Sequence, residues 1–433
     1  MDISKIVQKL NRLDLLMLRT VYEMRCLSAK QAWQYFYKRH NITFDVFYNA
    51  RVIPLSNLKV LEIKTSNSGV LTLFLTGEGI EIVRSYFRLP SEIYDKGLRK
   101  TVSNKQTAAT LDLNPRLIDH QVNLNEFVLK FKQLAKNLYP NERFNYYDEK
   151  FTSRYSIVRP DGLLSIGNLD LFLEMDMGTE SKKQLDDKWN KYRRFLNNNE
   201  FELSERKLIV LFIVNCDKIE SRKNLIRSSA EEVFTSLLKD NFEIYIGKET
   251  ELLNAVFKKI LPIYFSNYKF ESILMKNLFK EKHGFSVVRG NKLKINLQGS
   301  SYGYYVRRLD ENRQIISKSG VAQEFLVDEY IYSPMSVIGK IYFAERTSAQ
   351  FNLVYKRKIN YLVVVSDEQT LFEHLKCLNL FHANNVFFTT PKRLGERPFH
   401  EALFKLDSNG NLFKCTDETY QKLELETTLN CSK

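Results

Sequence analysis

The apolar positions of residues 1–90 predict three short helices followed by a β-hairpin. Apolar side chains recur at helical spacing between residues 12 and 25, and two good capping residues open the next two helices, Ser28 and Thr43. Residues 60–64 and 70–75 have the composition of strands and are separated by a turn of Ser, Asn and Gly. This order is typical of a winged helix-turn-helix, so we predict such a domain over residues 1–90.

The predicted winged helix would bind double-stranded DNA. Domains of this kind lay the third helix in the major groove and the hairpin along the phosphates. The candidates for base contacts are Tyr48, Asn49 and Arg51, and those for backbone contacts are Lys59 and Lys64. Residues 1–90 hold 13 Lys and Arg against 7 Asp and Glu, which favours a polyanionic partner. A domain that mediates only protein contacts is the alternative. Pro54 is expected to kink or shorten the third helix.

Residues 115–262 predict an α/β domain, which follows a basic linker over residues 91–114. The pattern gives a helix from Pro115 to Leu134, then three strands, a helix, a strand, a helix and a strand. The strands are predicted at residues 144–147, 155–158, 169–176, 207–214 and 242–246, and the helices at residues 181–196 and 220–238. Residues 207–214 are continuously apolar, which indicates a parallel strand buried on both faces.

A buried strand that ends in carboxylates is the most informative feature of this domain. Residues 169–176 carry Glu174 and Asp176, two acids that a strand points to one face. Asp161, in the string Arg159-Pro160-Asp161-Gly162, lies 13 residues before Glu174, a separation that a β-hairpin can close. Three converging carboxylates would form a hard-oxygen site of the kind that accepts Mg²⁺ or Mn²⁺. The alternative is a turn-capping Asp161 and two surface charges at a strand end.

These features together resemble the replication-relaxation family of plasmids and other mobile elements. The order of helix, meander, helix and strand, with Pro-Asp and a following Glu-x-Asp, is similar to the PD-(D/E)XK nuclease fold. The resemblance also rests on the N-terminal winged helix and on the string Leu173-Glu174-Met175-Asp176-Met177-Gly178-Thr179-Glu180, followed by Lys188 and Tyr192. It covers roughly residues 10–250.

The resemblance implies a metal-dependent DNA nickase or endonuclease. Asp161 would bridge the metal, Glu174 would be a second ligand, and the backbone carbonyl of its neighbour could be a third. Nucleases of this kind normally have Lys at the third motif position, where this chain has Asp176. Lys188 could supply the missing ammonium from the next helix, or Asp176 could hold a second metal ion. Glu126, on the first helix of the domain, matches an acid sometimes found there, although a charge on the helix surface is the preferred interpretation.

The departure at Asp176 leaves a second function open. A chain that has lost cleavage would be a DNA-binding replication initiator or a transcriptional regulator. For Lys188 the alternative is an ion pair with a neighbouring acid four residues away on its helix. A third hypothesis is an interaction scaffold whose basic surface recruits DNA or another replication protein.

Residues 265–415 predict a second α/β domain that repeats the order of strand, helix and strand found in the first. Lys358 through Asp367 match Lys207 through Asp217 as a basic residue, a buried strand and a terminal acid, and a helix (368–380) and a strand (385–389) follow. The segment Phe325-Leu326-Val327-Asp328-Glu329 is similar to residues 172–174 but has no Pro-Asp partner. We therefore expect a degenerate duplicate without an active site. Residues 416–433 are predicted to be a loosely held tail.

The composition of the whole chain agrees with a nucleic-acid partner. The formal net charge is +14, which places nucleic acid first and a membrane surface second. No apolar run approaches the ~20 residues that span a bilayer, and no signal-peptide pattern is present, so a cytoplasmic protein without a membrane partner is expected. A homodimer and other replication proteins are further expected partners.

Overall fold

The computed structural model shows a mixed α/β protein, which confirms the predicted fold class. It describes residues 6–95, 100–103, 106–152, 155–198, 201, 205–234, 239–265, 274–290, 302–314, 317–318, 321–322, 324–355, 359–368, 385–406 and 412–414. The chain forms two compact units. Unit 1 comprises Met1–Glu180 and Arg194–Asp217, and unit 2 comprises Ser181–Arg193 and Lys218–Lys433. The domain boundaries drawn from the sequence stay predictions.

The N-terminal part of unit 1 contains the helices and the hairpin that the sequence predicts. The elements are α1 (Arg12–Met24), β1 (Cys26–Ser28), α2 (Ala29–Ala32), α3 (Phe44–Phe47), α4 (Ile53–Asn57), β2 (Leu61–Thr65), β3 (Leu71–Leu75) and α5 (Gly77–Tyr86). Asn11 and Ser28 cap α1 and α2 through reciprocal side-chain and backbone hydrogen bonds. The three strands form an antiparallel sheet in the order β1–β3–β2.

The predicted third helix is continuous from Phe44 to Asn57 but is not α-helical throughout. Helix α3 passes into a π-helical turn, Tyr48–Val52, and then into α4. Pro54 lies just after that turn and does not shorten the helix. Its missing N–H removes one bond of the α ladder, and the irregular turn before it absorbs that loss. The third helix therefore has the predicted extent and an internal irregularity instead of an early end.

The rest of unit 1 is a sheet covered by a long helix. Its elements are β4 (Glu92–Asp95), β5 (Lys100–Ser103), α6 (Ala108–Leu111), α7 (Pro115–Leu138), β6 (Asn145–Asp148), α8 (Glu149–Thr152), β7 (Gly162–Ile166), β8 (Leu169–Asp176) and β9 (Lys207–Val214). Within this unit the strands run in the order β9–β8–β7–β6. Strands β8 and β9 are parallel, and the β6–β7 and β7–β8 pairs are antiparallel. Every residue of β8 is buried, as its apolar sequence predicts.

Two predicted features of unit 1 differ from the structure. Residues 155–158 do not form a strand, and the middle strand of the meander is β7, which begins directly after Asp161. The Tyr155 ring packs on Phe172 and Phe195, with centroids 5.4 and 5.7 Å away, although its segment does not join the sheet. The predicted linker over residues 91–114 contains the β4–β5 hairpin and α6.

Unit 2 contains a larger sheet with a parallel centre. Its elements include α9 (Lys182–Leu196, whose last residues belong to unit 1), α10 (Ile219–Phe234), β10 (Phe242–Gly247), α11 (Glu249–Ala255), α12 (Leu261–Phe265), β11 (Ser286–Arg289), β12 (Tyr304–Arg307), β13 (Ser317–Lys318), β14 (Val321–Ala322), β15 (Glu324–Glu329), α13 (Met335–Tyr355), β16 (Asn360–Val364), β17 (Val386–Thr389), α14 (Pro391–Glu396), β18 (Phe404–Leu406) and β19 (Leu412–Lys414). The sheet order is β11–β12–β15–β16–β17–β18–β19, and β15, β16 and β17 are parallel.

Both strands predicted for the second domain are present, as β16 and β17. Most of the predicted helix at residues 368–380, and all of the predicted tail, lie outside the described residues. Over the part of the chain that the structure describes, no helix combines the length and the apolar character needed to cross a membrane.

Candidate active site and nucleic-acid interface

The β7–β8 hairpin places Asp161 beside the acidic end of β8. In the antiparallel register Gly162 lies opposite Leu173. Asp161, the residue before Gly162, therefore lies near Glu174, the residue after Leu173. The backbone N–H of Met175 donates a hydrogen bond to Oδ2 of Asp161 at 2.8 Å. Asp161 is half-buried and Glu174 is buried. The hairpin therefore gives these two predicted acids neighbouring positions on adjacent strands.

The glycine after Asp161 lies close to a neighbouring ring. A Cβ atom on Gly162 would lie 3.1 Å from Cε2 and 3.4 Å from the hydroxyl oxygen of Tyr146, on β6. Burial, together with the negative charges of Asp148 and Asp161, raises the pKa of the Tyr146 phenol. A neutral ring therefore forms one wall beside Asp161.

His120 is the residue of this site that the sequence did not reveal. It lies on α7, and its Nε2 is 3.3 Å from Oδ2 of Asp161 and 3.0 Å from the carbonyl oxygen of Met175. Burial alone would lower the pKa of His120. The hydrogen bond and charge of Asp161, the Met175 carbonyl and the charge of Glu174 outweigh burial and raise that pKa above its ordinary value. The site therefore favours a protonated imidazole that donates to the Met175 carbonyl.

Asp176 makes a different set of contacts. Its Oδ1 accepts a hydrogen bond from the N–H of Gly178 at 3.3 Å, and its carbonyl oxygen accepts one from the N–H of Asn215 at 2.8 Å. Gly178 has φ +78°, and a Cβ there would lie 2.9 Å from Cβ of Cys216, so the loop after β8 requires glycine. Strand alternation gives Asp176 and Glu174 the same face of β8.

Lys188 and Glu126 are the remaining residues predicted to act at the acidic site. Lys188 lies on α9, is half-buried and belongs to unit 2, and its role at the acidic site stays a prediction. Glu126, on α7, accepts hydrogen bonds from Nε2 of Gln31 at 3.0 Å and from the hydroxyl of Tyr35 at 2.9 Å. Those bonds tie α7 to the N-terminal helices, so packing of the unit explains this acid.

The implied metal ion would need several oxygen ligands close together. Carboxylate and carbonyl oxygens are the donor types that Mg²⁺ and Mn²⁺ prefer. Among the described residues, however, no group of three or more His, Cys, Asp or Glu side chains is arranged to hold a metal. The carboxylate of Asp161 and the carbonyl of Met175 are instead both in contact with His120. In this arrangement the site does not fit a metal ion.

Arg51, a predicted base contact, is bonded to the interior of unit 1. Its Nε donates to Oδ1 of Asp14 at 2.9 Å, and its Nη2 pairs with the other oxygen of the same carboxylate. Asp14 is fully buried on α1 and also accepts a hydrogen bond from the Tyr37 hydroxyl. The guanidinium thus anchors the third helix to α1, while its contact with DNA stays a prediction.

The other four candidates differ in how freely they face solvent. Nζ of Lys64 is 2.6 Å from Oδ1 of Asp112, which ties the hairpin to the segment before α7. The Tyr48 ring is half-buried and stacks on Phe44, with centroids 6.0 Å apart. Asn49 and Lys59 are exposed. The geometry therefore leaves these two as the candidates that are most accessible to a ligand.

A basic turn precedes the third helix and was not singled out from the sequence. It consists of Lys38, Arg39 and His40, all exposed, in a single 3-10 turn that follows α2 and a π-helical turn, Trp33–Tyr37. Asn41 then adopts a left-handed conformation with φ +59°, and Thr43 caps α3 by accepting a hydrogen bond from the N–H of Val46. Three consecutive basic residues between two predicted helices are the signal that could have revealed this turn.

Unit 2 contains a buried polar cluster at the place that matches Glu174 in the predicted duplication. Tyr304 lies opposite Val327, so Gly303, the residue before Tyr304, lies near Asp328, the residue after Val327. Asp328 accepts hydrogen bonds from the N–H of Gly303 at 2.9 Å, from Nζ of Lys340 at 3.1 Å and from the hydroxyl of Tyr361 at 3.0 Å. Glycine therefore occupies the position that Asp161 has in unit 1.

A second register supports the same correspondence. Glu174 pairs with Phe212, five residues after Lys207, and Asp328 pairs with Val363, five residues after Lys358 in the sequence. Lys358 itself lies outside the described residues. The spacing agrees with the match of these two segments made from the sequence alone, although the duplication itself stays a prediction.

Comparison with known proteins identifies one family. Residues 18–211 match the family model described as replication-relaxation, which confirms the resemblance seen in the sequence. The family suggests a role in the replication of a plasmid or another mobile element. No curated protein and no solved structure matches the chain.

Proposed function

We propose, from the replication-relaxation match and the charge of the N-terminal surface, that this protein binds double-stranded DNA in the replication of a mobile element. The observation that carries the proposal is the exposed basic turn of Lys38, Arg39 and His40 at the start of the third helix. The third helix begins at Phe44, four positions after His40, and carries the exposed amide of Asn49 in its π-helical turn. The order of helices and hairpin agrees with a winged helix.

Two physical effects support the proposal: positive charge attracts phosphates, and an exposed amide can hydrogen-bond the edge of a base. Cationic side chains close to a helix N-terminus add to its partial positive charge, and both attract phosphate. An exposed Asn on the helix that follows can hydrogen-bond the edge of adenine in the major groove. The excess of cations over the whole chain strengthens the approach to DNA and makes it salt-dependent.

Fluorescence anisotropy with a labelled duplex of random sequence tests this proposal. A Lys38→Ala/Arg39→Ala variant should bind about tenfold more weakly, and its plot of log K against log salt should flatten by roughly two units. The matched control is Lys136→Ala/Arg143→Ala, which removes the same charge from two exposed positions elsewhere in unit 1. Equal losses from both variants would show that only net charge matters and would reject the basic turn as a DNA contact.

DNA cleavage is the second candidate function, and it is favoured by the proximity of Asp161, Glu174 and His120. The Met175 N–H holds Asp161 in place, and the His120 imidazole lies next to it. The predicted roles of Asp176 and Lys188 belong to this proposal, as do the predicted partners, a second copy and other replication proteins. The predicted Mg²⁺ or Mn²⁺ belongs to it as well, and would require the acids and His120 to leave the arrangement described above.

Nicking of supercoiled plasmid separates the two candidates. The protein is incubated with DNA in Mg²⁺, in Mn²⁺ and in EDTA, beside an Asp161→Asn variant. The matched control is Asp119→Asn, which changes another acid of the same unit, one that accepts a hydrogen bond from Ser68. Nicking that needs the divalent ion and is lost only in Asp161→Asn supports the enzyme. Bound but intact plasmid under all conditions supports a non-cleaving replication initiator or transcriptional regulator.

A further inference from the structure

The third helix exposes a small surface that is uncharged and mostly apolar. Val46, on α3, is 55% exposed, and Asn49 and Ala50, in the π-helical turn that follows, are exposed as well. Side chains three and four positions apart lie on one face of a helix, so these three residues form one surface, called here the Val46 surface. It follows the exposed basic turn of residues 38–40 along the chain.

The one cation of the third helix is bound within unit 1. Arg and Lys are the usual partners of guanine, through its O6 and N7 atoms. Over Phe44–Asn57, all of which the structure describes, Arg51 is the single basic residue, and two of its nitrogen atoms bond to Asp14. The one acid, Asp45, lies in the first turn of α3, where a carboxylate stabilises the positive end of the helix dipole. The groups of the Val46 surface therefore suit adenine and thymine better than guanine.

We propose that the Val46 surface recognises A·T base pairs, with Val46 and Ala50 on the methyl groups of thymine and Asn49 on the edge of adenine. The inference rests on the proposed DNA-binding function and names the class of base pair that this function would select. DNA is the occupant because exposed cations precede the surface and the chain has a net charge of +14.

The size of the surface sets how many base pairs it can contact. Val46 and Ala50 are about 6 Å apart along the helix axis, at about 1.5 Å per residue, and successive base pairs are about 3.4 Å apart. The surface therefore covers about two neighbouring base pairs. Removing one methyl group from water is worth about fourfold in affinity, so two thymine contacts would give a preference of about tenfold.

Fluorescence anisotropy of the full-length protein with three labelled duplexes of equal length tests the proposal. One duplex contains only A·T pairs in mixed order, the second has deoxyuridine in place of every thymine, and the third contains only G·C pairs. Deoxyuridine pairs as thymine does and lacks the methyl group. The wild-type protein should bind the thymine duplex about tenfold more tightly than the deoxyuridine duplex, and the G·C duplex should be bound no better than the deoxyuridine duplex.

Three variants assign the preference to individual residues. Val46→Ala should reduce the tenfold preference for thymine over deoxyuridine to about threefold, since Ala50 still contacts its methyl group. Asn49→Ala should weaken binding to those two duplexes equally, because the edge of adenine is the same in both. The matched control is Leu138→Ala, which shortens another exposed apolar side chain of unit 1, 57% exposed at the end of α7, and should change none of the three affinities.

Other results overturn the inference, and they separate it from the proposed function. Wild-type protein that binds the thymine and deoxyuridine duplexes equally would reject recognition of the methyl group and leave DNA binding standing. Equal losses of Val46→Ala on all three duplexes would show a contact that does not distinguish bases. Unchanged affinities of Val46→Ala would mean that the surface serves another partner, such as a protein. Absence of binding to every duplex would reject the proposed function together with this inference.

Discussion

Arg51, on the third helix, is joined to the fully buried carboxylate of Asp14, on α1, through two of its nitrogen atoms. A residue that the sequence offers as a base contact is therefore also a brace within unit 1. A change at this position would lower stability, and it would also alter DNA binding if Arg51 is a base contact, so the two effects have to be measured separately.

Arg51→Ala should lower the free energy of unfolding by about 2 kcal/mol, because Asp14 stays buried and loses its charged partner. Urea denaturation followed by circular dichroism measures this. Tyr37→Phe removes the neutral donor to the same carboxylate and should cost less. Arg39→Ala, at an exposed position, should leave stability within about 0.5 kcal/mol of wild type. An Arg51→Ala protein as stable as wild type would mean that the ion pair contributes nothing.

Gly162→Ala should destabilise unit 1 by about 1–3 kcal/mol, because the added methyl group meets the Tyr146 ring at 3.1 Å. The shift in thermal midpoint of the variant reports this cost. Gly77→Ala is the control, since a Cβ there meets nothing within 4 Å and the backbone has no positive φ. Equal midpoints for the two variants would show that the ring yields freely and that the wall beside Asp161 is soft.

The Glu23 carboxylate should make part of the stability depend on acid pH. Burial alone would raise the pKa of Glu23, but Lys132 and Arg19, each 2.9 Å away, hold that pKa below its ordinary value. Since the pKa is lower in the folded protein, this contribution is present above about pH 4.5 and is lost as the pH falls through the folded value.

Glu23→Gln should therefore be less stable than wild type at pH 7, by about 1 kcal/mol, with the difference narrowing below about pH 4.5. Urea unfolding at a series of pH values measures the narrowing. A difference that stays constant down to pH 3 would assign the effect to packing instead of charge.

Lys340→Met should destabilise unit 2 by about 3 kcal/mol, because Asp328 is buried and its charge would lose its balancing partner. The double variant Asp328→Asn/Lys340→Met should recover part of that loss, which a double-mutant cycle of unfolding free energies would show. Neither variant should change nicking or DNA affinity, as a closed structural cluster has no part in either. Loss of nicking in folded Lys340→Met would contradict the expectation that this domain has no active site.

Long apolar runs explain why much of the fold could be predicted. Residues 169–176 and 207–214 form strands with the predicted bounds, because burial on both faces leaves little choice of structure. Residues 155–158 are also rich in apolar side chains, but Tyr155 packs on Phe172 and Phe195, which come from other parts of the chain. The local pattern does not distinguish burial within a sheet from burial beneath a loop.

Of the candidate site, the sequence could predict only the two acids that the hairpin makes neighbours. Asp161 and Glu174 meet because a two-strand register follows from spacing in the sequence. The approach of His120, 41 positions before Asp161 in the sequence, depends on how α7 lies over β8, and no local pattern encodes that packing. The same is true of the brace between Asp14 and Arg51, where an unremarkable acid on α1 meets a basic residue 37 positions later.

The π-helical turn at Tyr48–Val52 changes which side chains of the third helix face the same direction. Each residue of an α-helix advances about 100° around the axis, so one extra residue in a turn rotates everything after it by that amount. Side chains before and after Val52 thus form two short surfaces that point in different directions. If a DNA groove lies along this helix, it can contact only one of these two surfaces at a time.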